Sequence, residues 1–364
     1  MSGDMRVELV TAPERLVELR PQWNALLQSS AADTLFLTWE WVNAWVGCFL
    51  EDDDRELSIL VLTKDDKIIG IAPFYIAVVP KGPLGLREVR LLGYPQAGSD
   101  YLDVFAERGR ERSVADAVYD FLFGEGRSLW DRLALSDIRA ESLFLLYFTN
   151  RLDEAGKYFT VGLSAYCPTF RLPRRGEDFL AGLSSNRREQ FRRHRRVLGR
   201  EPGLVRTRHS TRQSPEALER FFELYARATP YEGERLHALL ARFVEDLPFD
   251  GDVQIDAAES DGRWVAGLLH MRYRDTLYMY LMAIDKGFLP KISIGNVLVG
   301  ESIEAAIEDG LLTYDFLKGA EDYKFHWANN NARTLRLSLS NRRPLPLLGM
   351  WTELLKSAVK SVIR

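Results

Sequence analysis

The spacing of apolar positions along the chain predicts a protein of alternating strands and helices. Residues 277–284 form an unbroken apolar and aromatic run, which is typical of a strand buried on both faces. After a loop at 285–291, Ser293 predicts the N-cap of a helix that ends at Gly310, a residue suited to a left-handed helix end. Residues 313–316 predict the next strand. We therefore expect a strand–loop–helix–strand unit.

The start of this helix is a predicted anion site. The first N–H groups of a helix have no partner within it and lie at the positive end of its dipole, so both favour a phosphate. The predicted first turn, Ile294, Gly295 and Asn296, has a small residue where a ligand must approach closely. Residues 318–327, after the following strand, carry the densest mixture of ionisable and aromatic side chains. This arrangement predicts a phosphate-bearing ligand beside reactive groups.

Residues 1–172 combine short strands with amphipathic helices. Strands are predicted at 7–11, 57–63, 67–79, 86–92, 101–105, 132–136 and 158–170, and helices from Pro13, at 36–50, at 113–123 and between the last two strands. In the helix at 36–50, Trp41 and Trp45 lie one turn apart on one face, whereas Trp39 points elsewhere. Such a pair is typical of a hydrophobic core, with ligand stacking as the alternative.

The second half of the chain repeats this plan. It predicts strands at 204–209, 253–258 and 264–273, with helices at 216–228 and 234–246. Segments 66–73 and 262–270 both consist of a turn, an apolar strand, a glycine and an apolar strand. We therefore predict an α/β (α+β) protein with two copies of one unit, in which each copy is a mixed, mainly antiparallel sheet flanked by helices. The predicted domains are 1–172 and 173–345, followed by a C-terminal helix at 346–364.

A strongly basic helix is predicted directly after the boundary between the two copies. Seven arginines lie between Arg187 and Arg200, and Asn186 and Glu189 form a predicted capping pair. Three interpretations fit: a solvated, salt-bridged helix, a clamp for phosphate or an anionic glycan, and a nucleic-acid surface. Phe191 is the only aromatic side chain among the arginines, which disfavours nucleic acid.

The segment at 346–364 is amphipathic, with apolar positions such as Trp351 and Leu355 beside Lys356, Lys360 and Arg364. It fits a helix packed on the body of the protein, and peripheral attachment to the inner face of an anionic membrane is the alternative.

Composition narrows the class of protein. The chain has 364 residues, 46% of them hydrophobic and 27% charged, with a formal net charge of −4. These values are ordinary for a globular protein and give no overall basic field for nucleic acid. Its two cysteines are far apart in sequence, and its five histidines have no metal-ligand spacing, so we predict neither a disulfide framework nor a metal site. No signal peptide or membrane span is predicted, which favours a reduced, cytoplasmic setting.

Four sequence segments in this order resemble the GNAT-superfamily acyltransferases of the CelD/BcsL group, which is associated with bacterial cellulose biosynthesis. They are Phe-Leu-Thr-Trp-Glu-Trp at 36–41, Ser-Asp-Tyr-Leu-Asp at 99–103, Ser-Asn-Arg-Arg-Glu-Gln-Phe-Arg-Arg at 185–193, and Tyr-Asp-Phe-Leu-Lys-Gly at 314–319 with Tyr323 and Lys324. Together they span roughly residues 35–335. The resemblance implies two GNAT-like halves and a role as an acyltransferase in exopolysaccharide biosynthesis.

The resemblance also implies where an acyl donor binds. The second half would hold acetyl-CoA or another acyl-CoA as co-substrate, with the thioester arm along Met282, Ala283 and Ile284 and the pyrophosphate at residues 293–296. The glycine-rich pyrophosphate loop of simpler GNAT enzymes is reduced here to Ser-Ile-Gly at 293–295. FemAB-type transferases, which take their acyl group from charged tRNA, share the two-copy plan and a lysine similar to Lys324. They are the main alternative, and a non-catalytic binding module is the other.

Acyl transfer from a thioester needs a base for the nucleophile and a proton for the leaving thiolate. Asp315 and Asp100 are the predicted bases, each at a strand end or turn facing the cleft between the halves, and a structural hydrogen bond is the alternative for both. Tyr323 could supply the proton, and Lys324 could hold a phosphate or an oxyanion. Backbone N–H groups at 282–284 could polarise the thioester carbonyl. Substrate contacts are predicted for Tyr101, Arg188, Arg192 and His270, with a small-molecule or glycan-precursor acceptor, although His270 also fits a core position.

Overall fold

The computed structural model describes residues 5–51, 54–80, 85–229, 233–248 and 250–341, and of Glu177 and Asp178 it describes only the backbone. The predicted C-terminal helix at 346–364 lies outside the described residues.

Helices and strands alternate along the described chain. The α-helices are α1 (Pro13–Glu18), α2 (Arg20–Ser29), α3 (Trp39–Phe49), α4 (Glu111–Phe123), α5 (Leu143–Glu154), α6 (Gly176–Gly182), α7 (Ser185–Leu198), α8 (Glu216–Ala228), α9 (Gly233–Glu245), α10 (Ile294–Glu308) and α11 (Asp322–Trp327). The strands are β1 (Arg6–Val10), β2 (Arg55–Leu57), β3 (Ile59–Lys64), β4 (Lys67–Ala72), β5 (Phe74–Val79), β6 (Leu86–Leu91), β7 (Phe105–Ala106), β8 (Arg132–Arg139), β9 (Phe159–Arg171), β10 (Leu204–Ser210), β11 (Gly251–Ser260), β12 (Arg263–Tyr273), β13 (Thr276–Ile284), β14 (Thr313–Asp315) and β15 (Asn330–Ser340).

The chain divides into two compact units. The first comprises the chain up to Ala165 together with the segment from Arg333. It holds strands in the order β15-β8-β6-β5-β2 and a second sheet in the order β1-β3-β4-β7. Neighbouring strands in both are antiparallel except β6 and β8, which are parallel. Trp41 and Trp45 are fully buried, so the predicted tryptophan pair belongs to the core.

The second unit, Tyr166–Ala332, has one sheet in the order β10-β11-β12-β13-β14-β9. Its pairs are antiparallel except β13 and β14. Helices cover both faces, because adjacent strand residues point to opposite sides. On β12, a Cβ at Gly267 would lie 3.1 Å from Phe221 of α8, whereas Leu268 packs in the same cluster as Val299 and Ile303 of α10. The predicted α/β architecture, with mainly antiparallel sheets flanked by helices, is confirmed.

The strand–loop–helix–strand unit has the predicted order and nearly the predicted bounds. Ser293 is the N-cap residue of α10, but its side chain makes no capping hydrogen bond. At the other end Gly310 has φ +74°, and the N–H of Leu311 donates to the carbonyl of Ala306 at 3.0 Å. This is the left-handed helix end that the glycine predicted.

Four local predictions differ from the structure. Pro73 divides the predicted strand at 67–79, because proline has no N–H to donate within a sheet. The predicted strand at 101–105 is reduced to β7, since Tyr101 has φ +56°. Residues 322–327 form helix α11 instead of a turn. Helix α7 begins after Ser184 and has no side-chain cap, so the predicted capping pair of Asn186 and Glu189 is wrong.

The boundaries of the units also differ from the predicted domains. The first break falls inside β9, at Tyr166, and the segment from Arg333 returns to the first unit. This return has a clear cause, because β15 pairs from Thr334 to Ser340 with β8 of the first unit. A pairing between strands nearly 200 residues apart leaves no local sign in the sequence.

Helices α7 and α10 pack closely at one glycine. A Cβ atom at Gly300 would lie 2.7 Å from Cζ of Phe191, a buried side chain of α7. Core positions filled this tightly do not accept an extra methyl group without displacement.

We expect Gly300→Ala to lower the free energy of unfolding by about 1–3 kcal/mol in urea titrations, because its methyl group must displace the Phe191 ring. Gly182→Ala, at a helix end with no heavy atom within 4 Å of the new Cβ, is the control and should change stability by less than about 0.5 kcal/mol. Equal stability of the two variants would contradict the packing argument.

Candidate functional site

The parallel strands β13 and β14 separate after a short pairing. Their register joins Thr276 to Thr313 and ends with Tyr278 opposite Asp315. From there β13 continues to Ile284, and on the side of β14 it has no further strand partner in the described part of the chain. Leu281, Met282 and Ile284 are only half-buried. The separation therefore leaves an open edge of backbone and apolar side chains along β13.

A β-bulge lies at the start of this open edge. Leu269 pairs with Leu281 and His270 pairs with Met279, so Tyr280 is an extra residue on β13. A bulge re-aims the backbone groups around it and raises the local twist. The N–H and carbonyl groups of β13 thus change direction where β14 departs.

The start of α10 lies against the same edge. A Cβ at Gly295 would be 2.5 Å from Cδ1 of Ile284 and 3.3 Å from Sδ of Met282. A side chain at position 295 would have to displace these two side chains, so glycine suits the close approach of the helix to the strand. The N–H groups of Gly295 and Asn296 have no acceptor within the helix, as at any helix start, and they lie beside the open edge of β13.

A chain of buried hydrogen bonds runs beneath α10. The hydroxyl of Tyr314 lies 2.8 Å from Nε2 of His270 and 2.9 Å from Oγ of Ser302. All three residues are fully buried. On the far side of the imidazole, Nδ1 lies 3.3 Å from Oδ2 of Asp256 without hydrogen-bonding geometry, and Asp256 accepts from Arg208 at 2.8 Å. The chain connects β12, β14 and α10 next to the bulge.

Burial sets the protonation of these groups. It lowers the pKa of His270 to about 4, against a smaller upward effect of the Asp256 carboxylate. It also raises the pKa of Tyr314 well above its usual range. Both side chains are therefore neutral near pH 7. A proton on Nδ1 would face the Asp256 carboxylate and leave Nε2 to accept from the Tyr314 hydroxyl.

Asp315 ends β14 at the point of separation. It is buried, and its Oδ1 accepts the N–H of Leu317 at 2.7 Å. This bond holds a turn in which Leu317 has φ +56°, while the N–H of Phe316 donates to the carbonyl of Pro168 at 3.0 Å. The carboxylate thus has a structural role in the turn and also lies at the edge of the strand separation.

Lys324 and Tyr323 lie on α11. The Lys324 ammonium is buried, donates to the carbonyl of Lys318 at 2.7 Å and lies 3.1 Å from Oε2 of Glu321. A side chain at Gly319 would meet that ammonium, with a Cβ only 2.5 Å from Nζ. Lys324 therefore secures the turn before α11. Burial raises the pKa of Tyr323, so its hydroxyl keeps its proton at neutral pH.

A narrow cleft opens between α7, α10 and α11. Its lining includes Arg187, Gln190 and His194 of α7, Asn296 at the start of α10, and His326 and Trp327 of α11. Arg188 and Arg192, which the sequence predicted as substrate contacts, do not line it. An α-helix turns about 100° per residue, so their side chains lie on a different flank of α7.

The first unit contains a similar strand separation, but its own chain occupies it. Strands β6 and β8 pair in parallel only at Glu88–Arg132 and Val89–Leu133. Further along β8, Leu102 forms a parallel bridge with Ile138, and its N–H donates to the carbonyl of Asp137 at 2.9 Å. The segment that carries Asp100 and Tyr101 therefore fills this edge of β8. The corresponding edge of β13 in the second unit stays open.

Three further residues of this segment are buried. Asp100 and Tyr101 are almost inaccessible, and Arg139 lies 5.6 Å from the centre of the Tyr101 ring. Asp103 accepts from Ser142 at 2.7 Å and from the N–H of Val104 at 2.9 Å, and burial raises the pKa of its carboxyl to about 7. Asp100 and Tyr101 thus belong to a different unit from the other predicted site residues.

The described residues contain no cluster of three or more His, Cys, Asp or Glu side chains that could hold a metal ion. Nor do they contain a helix with the length and apolar character needed to cross a membrane.

Part of the second unit is similar to a known protein family. Residues 185–325 match the acetyltransferase (GNAT) domain family. The match covers the arginine helix, the strand separation and the first part of α11, and it confirms the enzyme class expected from the sequence, an acyltransferase. No curated protein has a significant sequence match to the chain.

Solved structures share the fold over nearly the whole chain. FemX aligns with a TM-score of 0.59 at 13% identity, covering 94% of this chain and 99% of FemX. A tandem GNAT protein from the clavulanic acid biosynthesis pathway aligns with a TM-score of 0.53 at 11% identity, covering 93% and 100%. A conserved protein of unknown function from Bacteroides thetaiotaomicron gives 0.54 at 12%, covering 92% and 100%. At such identities the likeness establishes the fold only.

The sequence alone did not indicate several polar residues of the region that matches the acetyltransferase family. Tyr314 and Ser302 were not selected, since a buried tyrosine and a helical serine are ordinary core residues until a partner is known. Arg187, Gln190 and His194 did carry a signal, because spacings of three and four place them on one helical face. This spacing was hard to recognise, because arginines occupy so many positions of the helix.

We expect His270 to make stability depend on pH. An unfolded-state histidine binds a proton near pH 6.5, whereas the folded one does so only near pH 4, so the wild type should lose stability as the pH falls between these values. Relative to His270→Gln, whose amide can still bond Tyr314, the loss should reach up to about 3 kcal/mol in urea titrations. Parallel pH profiles of the two proteins would show that His270 is not neutral as argued.

Asp103 should make stability depend on pH in the opposite direction. Its folded-state pKa of about 7 exceeds the unfolded value of 3.8, so ionisation disfavours the folded state as the pH rises through this range. Asp103→Asn keeps an oxygen for Ser142 and Val104 and should gain up to about 4 kcal/mol on the wild type between pH 4 and pH 7. A gain that does not change with pH would contradict the raised pKa.

Proposed function

We propose that the chain is an N- or O-acyltransferase that uses acetyl-CoA or another acyl-CoA as its donor. One observation carries this proposal: β13 and β14 separate immediately beside the N-terminus of α10. A thioester arm needs an extended groove with backbone hydrogen-bonding groups, and a pyrophosphate needs the orphan N–H groups of a helix start. The second unit contains both, next to each other.

In this proposal the donor lies along β13. The half-buried side chains of Met282 and Ile284 would flank the pantetheine arm, with backbone groups at 282–284 turned toward it. The bulge at Tyr280 would aim an N–H at the thioester carbonyl, where negative charge develops during the reaction. Ser293, Ile294, Gly295 and Asn296 would hold the pyrophosphate. The close approach of Gly295 to Ile284 supports this placement, since it brings the helix start up to the strand.

The chemistry needs few side chains. The amine or hydroxyl of the acceptor attacks the thioester carbonyl, the C–S bond breaks, and the thiolate takes a proton. We propose Asp315 as the base, because it ends β14 where the strands separate. Tyr323 keeps its proton at neutral pH and would act as the acid. Lys324 would act through the turn that it secures, rather than by binding phosphate directly.

We propose a nucleotide-linked or lipid-linked sugar, or another polysaccharide precursor, as the acceptor. This assignment rests on the resemblance to the CelD/BcsL group and places the enzyme in exopolysaccharide biosynthesis in a bacterial cytoplasm. The fold shared with FemX keeps a charged-tRNA donor as the second candidate, and the fold shared with tandem GNAT proteins supports the CoA donor equally well. A measurement of which donor binds, an acyl-CoA or a charged tRNA, distinguishes the two candidates.

The donor proposal predicts a specific loss of affinity in Asn296→Asp. A carboxylate in the first turn favours the helix dipole, so α10 should stay folded, but it repels a pyrophosphate at the same N–H groups. We expect acetyl-CoA to bind at least about ten-fold more weakly in calorimetric titrations. Asn186→Asp, which makes the same charge change in the first turn of α7, should bind like the wild type.

Titration with longer acyl-CoAs and with charged tRNA completes this test. Tighter binding of one acyl chain would identify the donor. Absence of binding to any CoA thioester would overturn the proposal, and binding of charged tRNA in its place would favour the second candidate. Binding of neither would leave a non-catalytic module.

A further inference from the structure

The cleft between α7, α10 and α11 extends beyond the features that the proposed donor site requires. Three separate elements converge there, and the described residues that line it are basic, neutral polar or apolar, with no carboxylate among them. A lining with one arginine and two histidines but no carboxylate suits an anionic ligand.

Arg187 supplies the fixed positive charge of this cleft. Its guanidinium donates to the backbone carbonyl of His326 at 2.7 Å, which ties α7 to α11. A guanidinium has five N–H donors in a planar fork, so a single bond to a carbonyl holds the group in place and leaves other donors for a ligand. A phosphate can accept two of them side by side.

Neutral donors accompany the guanidinium. Arg193 lies with one guanidinium nitrogen 3.5 Å from Nε2 of His194, an arrangement that makes Nε2 the acceptor and leaves the proton of a neutral imidazole on Nδ1. Burial, with a smaller effect of Arg193, lowers the pKa of His194, which keeps the ring neutral. Gln190 adds an amide, and Asn296 adds the start of α10.

An independent observation comes from Trp327. Its side chain is 93% buried, stacked against Phe179 and edge-on to Phe191, and it forms part of the cleft wall. Its indole N–H has no hydrogen-bond partner in the described structure. An unsatisfied buried donor costs about 1–3 kcal/mol, so a ligand atom that accepts from this N–H would gain affinity there. The indole accepts nothing, so its missing partner must be an acceptor.

We propose that this cleft is a second phosphate subsite, which binds the phosphomonoester at the nucleotide end of the acyl carrier. The inference rests on the proposed acyl-CoA donor and extends it. The α10 start holds the pyrophosphate, and the guanidinium of Arg187 with the donors of His194, His326 and Trp327 holds the 3′-phosphate. Helix α7 thus contributes to donor recognition through Arg187, which lines the cleft. Arg188 and Arg192, which the sequence predicted as substrate contacts, take no part in it.

Helix α7 provides a matched control for this assignment. Arg192 follows Arg187 by five residues, which places its side chain about 140° around the helix, and it is exposed and absent from the cleft lining. Arg187→Gln and Arg192→Gln remove the same charge from the same helix. A long-range electrostatic effect would therefore weaken ligand binding in both variants. Loss of a direct contact would weaken it only in Arg187→Gln.

The experiment is calorimetric titration of the full chain and both variants with CoA, 3′-dephospho-CoA and adenosine 3′,5′-bisphosphate. We expect Arg187→Gln to bind CoA and the bisphosphate at least about ten-fold more weakly and 3′-dephospho-CoA unchanged. Arg192→Gln should bind all three like the wild type. Arg187→Lys, which keeps the charge without the fork, should give an intermediate affinity.

The outcomes separate this inference from the donor proposal. If CoA binds and Asn296→Asp weakens it, but Arg187→Gln does not, the subsite is wrong and the donor site stands. Equal weakening by both arginine substitutions would also overturn the subsite. If Arg187→Gln abolishes binding of the bisphosphate while CoA binds no tighter than the bisphosphate, the subsite stands and the donor placement fails. Absence of binding by all three ligands would overturn both.

Discussion

The hydrogen-bond chain from Ser302 through Tyr314 to His270 holds the place where β13 and β14 separate. Strands leave a sheet at a cost, because their backbone groups lose partners, and the separation persists only where something else fixes it. Here the Tyr314 hydroxyl connects β14 to β12 and to α10 at once. Polar groups buried this completely are expensive to leave unsatisfied, so the chain permits a single arrangement of these elements. The bulge at Tyr280 lies in β13, the strand between β12 and β14 that this chain crosses.

Each unit solves the same strand separation in its own way. In the first unit, Leu102 bonds to β8 and the edge is filled by buried side chains. In the second unit, the corresponding edge of β13 keeps half-buried residues and faces a helix start. A duplicated fold therefore does not imply a duplicated site. Chemistry that requires an extended groove can be accommodated by the second unit, whereas the first unit has used the equivalent space for its own core.

Helix α7 combines packing with recognition. Phe191 fits against Gly300 of α10, and Arg195 pairs with Glu301 and Glu304 on the same helix, at 3.1 and 2.8 Å. These contacts fix the rotation of α7 about its axis. Once the rotation is fixed, the arginines are sorted by position: Arg187 lines the cleft and Arg192 faces solvent. The number of arginines in the helix does not indicate which of them line the cleft and which face solvent.

The sequence by itself determined the order of elements, their type and the position of the candidate helix start. Local signals suffice for these features: the apolar run at 277–284, the serine and glycine at the two ends of α10, and the turn followed by an apolar strand at 262–270. Only the tertiary structure decided that β15 belongs to the first unit and that Tyr314 meets His270 across an intervening strand. Such features arise from contacts between residues 44 to about 200 positions apart, and the pattern around each residue is compatible with many partners. Apolar spacing reports which face of an element is buried, but the packing of whole elements selects the group that a polar side chain reaches.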